Sequence, residues 1–247
     1  RTRMEERYLL TSGASAGLAA AFNAPLAGVI FALEELHRNF SIMVLLPSMA
    51  AAFTATIISR AIFGRATIFD IPDLQLLPIG YYGIVILVAL ASGLAGVIFN
   101  WGLLNIGRFY SLPCFKRPVK KIAFALICTG ILGYFLPEVL GGGNELINHL
   151  AKAPVSLQLL LLFLAGKLIF TLISYGCGVP GGFFLPMLVI GALCGSICAQ
   201  ILIMFGWIDP AYATNIMVVA MAALFASSVR APITGTVLIM EMTASYQ

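Results

Sequence analysis

Charge is what this sequence has least of. Of its 247 residues, 14 are basic and 10 acidic, only two are histidine, and the charged share is 10% where a soluble domain carries about 25%. The apolar share is 61% against roughly 45–50% in soluble domains, and the mean hydropathy is +1.02. So few charged side chains cannot cover the outside of a water-soluble fold. That scarcity excludes a soluble enzyme. A net charge of +4 is too small to argue for a polyanionic partner, so a nucleic-acid binder is excluded as well. Cysteine is also sparse: Cys114, Cys128, Cys177, Cys194 and Cys198 are odd in number and lie mostly in apolar runs, which excludes a disulfide framework. Cys194 and Cys198 are spaced as two ligands on one helical face, but no His or carboxylate lies near them in sequence, and a tetrahedral metal site needs more. No metal and no cofactor is expected.

What is present is apolar sequence in long, charge-free runs: 8–33, 39–59, 74–107, 122–137, 168–208 and 210–229. Several reach the ~20 residues that span a bilayer. The solvent is lipid, and the expected fold is an all-α membrane protein. The sequence opens at Arg1, with apolar helix within eight residues, which reads as an internal start without a signal peptide.

Helices are expected over about 4–22, 25–36, 42–62, 79–107, 119–137, 157–175, 183–205, 212–228 and 232–243, with a break at Asn23-Ala24 set by Pro25. The 29 positions of 79–107 make roughly 44 Å of helix against a ~30 Å hydrocarbon core, so this helix tilts steeply or protrudes. "GGGNELINHLAKA" suits a short interfacial helix. Arg108, Lys116, Arg117, Lys120 and Lys121 crowd one loop, which the positive-inside rule places in the cytoplasm. By alternation His37 and Arg38 are cytoplasmic, and the loop with Asp70 and Asp73 is outside. Trp101, Tyr81, Tyr82 and Trp207 fit interfacial belts.

The chain repeats itself. "NAPLAGVIFALEEL" at 23–36 and "RAPITGTVLIMEMT" at 230–243 place Pro25/Pro232, Gly28/Gly235 and Glu34/Glu241 at one offset of 207. Each follows a small-residue segment able to pack closely in lipid. Repeats whose broken helices meet near the midplane are the architecture of secondary transporters.

The candidate site lies in "YGCGVPGGFFLPMLVIGALCGS" at 175–196. Gly176, Gly178, Pro180, Gly181 and Gly182 cannot be a helix interior. Irregular backbone at membrane depth is tolerated only against protein or a water-filled cavity. The helix that starts next presents backbone N–H groups, among them those of Phe183 and Phe184, at its positive end. That is an anion site without a basic side chain, which avoids holding the ion too tightly to release it. A packing hinge is the alternative reading of the same glycines.

"GVPGGFFLP" followed by "GALCG", together with "GLAAAFNAPLAGVIFALEEL", "RAPITGTVLIMEMT" and "LGGGNELI", resembles the CLC family of chloride channels and proton-coupled chloride transporters along the whole length. The resemblance implies a CLC-type inverted-repeat helical bundle with broken and steeply tilted helices, here about ten. Residues 1–247 would form one transmembrane domain fragment, about 1–113 ending the first repeat and about 114–247 making most of the second. The anion-binding G-x-F-x-P motif falls on Gly182, Phe183, Phe184, Leu185 and Pro186, with Gly181 before it, and the amides of Phe183 and Phe184 would coordinate the anion. The motifs that supply a serine and a gating glutamate would precede Arg1, and a tyrosine anion ligand would follow Gln247. Glu35 matches the internal proton-transfer glutamate of family exchangers, usually apolar in family channels. Glu34 has a water-entry or structural role. The implied function is voltage- or proton-linked chloride transport, most simply chloride/proton antiport. A passive chloride channel and an exporter of another anion such as fluoride are the alternatives. The implied assembly is a homodimer through about 25–36, 43–62 and 232–243, in a bacterial inner membrane, with chloride, protons and lipid as partners.

Four charged residues have plainer readings as well. Glu34 and Glu35 together could be a solvated helix end paired with His37 or Arg38. Lys167, alone in an apolar helix, is expected to snorkel to an interface. Arg230 is read as a helix-end anchor.

Overall fold

The computed structural model describes residues 3–64, 68–71 and 74–244; the opening Arg1, and Asp73 of the loop expected outside, lie beyond the described residues. Every regular element among these residues is helical. The α-helices are α1 (Arg3–Phe22), α2 (Pro25–Phe31), α3 (Ile42–Phe63), α4 (Tyr82–Tyr110), α5 (Pro118–Phe135), α6 (Asn144–Lys152), α7 (Leu157–Gly176), α8 (Phe184–Met204), α9 (Ala213–Val229) and α10 (Pro232–Thr243). Six helical segments are long and apolar enough to cross a membrane.

The helices fall into two compact units. One holds residues 1–73 and 229–247, and the other holds 74–228. In the first, α1 ends where Asn23 takes φ 51 and the Ala24 N–H donates to Ala19 O at 3.1 Å. Asn tolerates this left-handed geometry, and the six-residue closure is a common helix stop. Arg60 of α3 donates from Nε to Asn23 Oδ1 at 2.6 Å, which ties the break to the neighbouring helix. Pro25 then opens α2 with its fixed φ. A single α-helix over 25–36 was expected; instead α2 gives way after Phe31 to a π turn, Ala32–His37.

In the second unit, α4 starts with a 3₁₀ turn, Ile79–Tyr81, and runs three residues past the expected end at 107. Tyr110 explains the extension: it is buried, and its hydroxyl donates to Ile173 O at 2.9 Å, so the last turn is held by packing. Helix α5 stops at Phe135, two residues short of the expected end, and a 3₁₀ turn, Pro137–Val139, follows. The expected short helix is α6.

Burial separates two kinds of span. In α5 only 6% of the apolar window is buried, whereas in α8 the figure is 56%. An apolar helix left uncovered faces lipid or another chain; α8 is therefore the central helix of its unit. Its Gly191 and Gly195 allow this: a Cβ there would come within 2.8 Å of Met221 Cα and 2.6 Å of Met217 Cα. Backbone thus packs on backbone between α8 and α9, the contact that small residues make possible in lipid.

Candidate functional site

The glycine-rich loop leads into α8 as expected. Gly178 takes φ 83, a conformation open to glycine at little cost. Phe183 is the N-cap of α8, and its own side chain makes no capping hydrogen bond. Helix geometry gives the first amides no acceptor within the helix. Pro186 removes one donor from that turn, and the Met187 N–H, the next along, is already bonded to Phe183 O at 3.0 Å. The amides that precede Pro186 in this turn are those of Phe183, Phe184 and Leu185.

Rings fix the position of this start. Phe183 stacks on Phe184 with centroids 5.1 Å apart, Phe184 on Phe225 of α9 at 5.7 Å, and Tyr175 of α7 meets Phe183 edge-on at 5.6 Å. Beside the stack lies a cavity of about 220 Å³ walled by Gly181, Gly182, Phe183 and Pro186 on one side and by Thr171, Ser174 and Tyr175 on the other. At about 30 Å³ per water, it holds a small anion with part of its hydration shell. Four of the five expected site residues line this space; Phe184 is placed behind it, in the ring stack.

The α7 wall was not anticipated. Lys167, Thr171, Ser174 and Tyr175 recur at intervals of four, three and one, a polar stripe down one face of an otherwise apolar helix. That periodicity is readable in the sequence and would have found them. Lys167 does not snorkel. Its side chain is fully buried, and Nζ donates to Val139 O at 2.9 Å and Gly141 O at 2.8 Å. The two carbonyls give the ammonium inside the protein what the interface would have offered.

The two glutamates at the end of α2 part company. Glu34 reaches the start of α10: Oε1 accepts from Ile233 N at 3.1 Å, and Oε2 accepts from Thr234 N at 2.7 Å and from Thr234 Oγ1 at 2.8 Å. Glu241 returns the contact, with Oε1 accepting from Leu26 N at 3.1 Å and Oε2 from Ala27 N at 2.8 Å. The donor pairs 26, 27 and 233, 234 again differ by 207, so the repeat is a reciprocal clasp in which each helix end supplies the other's N-terminal anion. This accounts for a carboxylate at the C-terminal end of α2, where the helix dipole opposes it. The entries match too: Ala24 has φ −126, ψ 78 and Ala231 has φ −124, ψ 78.

The exits do not match. A left-handed residue ends each element, Arg38 at φ 52 and Ala244 at φ 53. Arg38 lies four residues beyond Glu34, Ala244 three beyond Glu241. The π turn holds the additional residue, as such turns do, and Glu35 sits in it, with Met242 at the corresponding position of α10. Glu35 is partly exposed and meets the Arg38 guanidinium at 3.5 Å. The plainer reading, a solvated end paired with Arg38, describes Glu35 but not Glu34. Arg230, at φ 63, directly follows α9.

Among the described residues no three of His, Cys, Asp and Glu come together as a metal site would require.

Comparison with known proteins agrees with this geometry. The chain matches the family described as voltage gated chloride channel over residues 1–247. It belongs to that family, a class of multi-pass membrane transport proteins. It is 37% identical to the H(+)/Cl(-) exchange transporter ClcA of Vibrio vulnificus strain YJ016, over 96% of this chain and 52% of the relative. It is likewise 37% identical to ClcA of Salmonella agona strain SL483, over 100% of this chain and 53% of the relative. Its fold superposes on a slow cyanobacterial Cl-/H+ antiporter with a TM-score of 0.89 at 32% identity, covering 99% of this chain and 58% of that one. A CLC-type fluoride/proton antiporter follows at 0.76 and 25%, covering 98% and 64%. The chain spans about half the length of the curated relatives it matches.

Proposed function

We propose that the whole protein carrying this chain exchanges chloride for protons across a bacterial inner membrane, with the anion held by the backbone amides of Phe183 and Phe184 and the proton taken up at Glu35. The observation that carries the reading is the start of α8, a partly exposed helix end whose N-cap is a phenylalanine, beside a cavity that Thr171, Ser174 and Tyr175 help to line. Protein amides and the helix end supply partial positive charge there, and an exchangeable anion is its natural complement. Gly181 and Gly182 leave the loop without side chains that would fill the space, and Pro186 limits the donor set. Glu35 supports exchange over passive conduction: it is an acid left out of the clasp, partly open to water on the side that the positive-inside rule makes cytoplasmic. Glu34, committed to three donors, is structural in this reading.

The second reading, export of another anion such as fluoride, is favoured by the likeness to the fluoride/proton antiporter. The apolar, exposed face of α3, including Ile57, Ile58, Ile62 and Phe63, suits the homodimer contact expected for 25–36, 43–62 and 232–243.

The test is flux from liposomes loaded with the full-length protein. Chloride efflux should drive opposing proton movement, and Glu35→Gln should abolish the proton signal while chloride still moves. Chloride flux without any proton movement in the wild type identifies a channel, and fluoride flux in preference to chloride identifies the second reading. If neither anion moves, the transport reading fails.

A further inference from the structure

Lys167 is a cation buried completely within an apolar span. Its hydrogen bonds go to two neutral carbonyls, Val139 O and Gly141 O, and among the described residues no carboxylate pairs with it. Burying an unneutralised charge costs several kcal/mol, so its place calls for a balancing charge and for a gain in position. Both lead to the same spot. Gly141 walls the cavity at the start of α8 as well as accepting from Lys167. Thr171, one turn along α7, lines that cavity too and is bonded through Oγ1 to Lys167 O at 2.7 Å. The loop that Lys167 holds lies tight against α8: a Cβ on Gly142 would meet Leu185 Cδ1 at 3.3 Å, and one on Gly143 would meet Val189 Cγ2 at 2.6 Å and Lys167 Nζ at 3.1 Å. Gly143 also takes φ 89, so side chains are excluded from the seat on two grounds.

Resting on the reading of the α8 start as an anion site, we propose that Lys167 is a positioning residue of that site and its buried counter-charge. It pins the loop 139–143 onto the first turns of α8, and the anion in the cavity balances its ammonium. Because two of its three donors are committed to carbonyls, Lys167 raises the potential in the cavity without grasping the ion. An anion attracted in this way still leaves, as transport requires. One unit charge within a few residues' distance in a low-dielectric interior is worth on the order of ten-fold in affinity.

The experiment uses the full-length protein in detergent and measures chloride affinity by titration calorimetry and chloride-dependent thermal stabilisation. Lys167→Met should weaken chloride binding on the order of ten-fold and flatten the stabilisation curve, and Lys167→Arg should restore much of both. Lys167→Gln, which keeps an N–H donor for the carbonyls but no charge, should fold even where the methionine variant does not, and should bind as weakly. A purely structural lysine would lower the melting temperature of all three and leave the affinity of the folded protein unchanged; that result overturns the proposal. Phe183→Asp, which puts a fixed carboxylate at the α8 N-cap, separates the two readings. If it abolishes binding while the Lys167 variants bind as wild type, only the role of Lys167 fails. A wild type that binds no chloride overturns both.

Discussion

The starts of α2, α10 and α8 each carry a proline in their first turn, and they meet the same physical problem in two ways. The starts of α2 and α10 are closed by Glu241 and Glu34. The start of α8 has a phenylalanine as its N-cap, which supplies no capping acceptor, and lines a cavity. In each case the helix end asks for negative charge. A tethered carboxylate answers permanently and makes a clasp; on the reading proposed for α8, an untethered anion answers for a time. On that reading the difference between a structural joint and an ion site is whether the counter-charge is covalently attached.

The comparison can be broken most severely by closing the open end. Phe183→Asp supplies a good N-cap residue in the right place, and we expect chloride flux in liposomes to fall to background while the melting temperature stays at or above that of the wild type. If flux survives, the anion does not use this turn. Opening a closed end is the next largest change. Glu241→Ala leaves the amides of Leu26 and Ala27 without their acceptor and should cost about 1–3 kcal/mol in chemical denaturation in detergent. Glu34→Ala should cost as much by the same assay, because it too orphans two amides, together with the Thr234 hydroxyl. Smallest is Thr234→Val, which removes one hydrogen bond to Glu34 at a buried, nearly isosteric position and should cost about 1 kcal/mol. Were Thr234→Val to cost more than Glu34→Ala, the clasp would not be the source of the stability.

Much of this was legible in the sequence for identifiable reasons. Pro25 and Pro232 punctuate helices wherever they occur, so the break at Asn23-Ala24 and the bounds of α10 could be read directly. The loop before α8 carries its glycines in a row that no helix would tolerate. The offset of 207 showed that Glu34 and Glu241 are equivalent but not that they face one another's helices, since a repeat states likeness and leaves contact unstated. Lys167 was misread because snorkelling is decided by what lies around the side chain, here two carbonyls 26 and 28 residues earlier in the chain. The π turn was not legible at all: an extra residue within a helix alters neither composition nor hydropathy.

That extra residue reaches beyond local geometry. Two halves of a duplicated chain start out with the same chemistry, and a device that needs one acid on one side only must first become unequal. In the second half the clasp glutamate is followed by Met242 and the left-handed end residue comes three residues after that glutamate; in the first, a lengthened turn lets one carboxylate keep the clasp while its neighbour faces elsewhere. A single codon suffices for such a change. Asymmetry of function on a symmetric scaffold then needs no new element, only a helix that miscounts once.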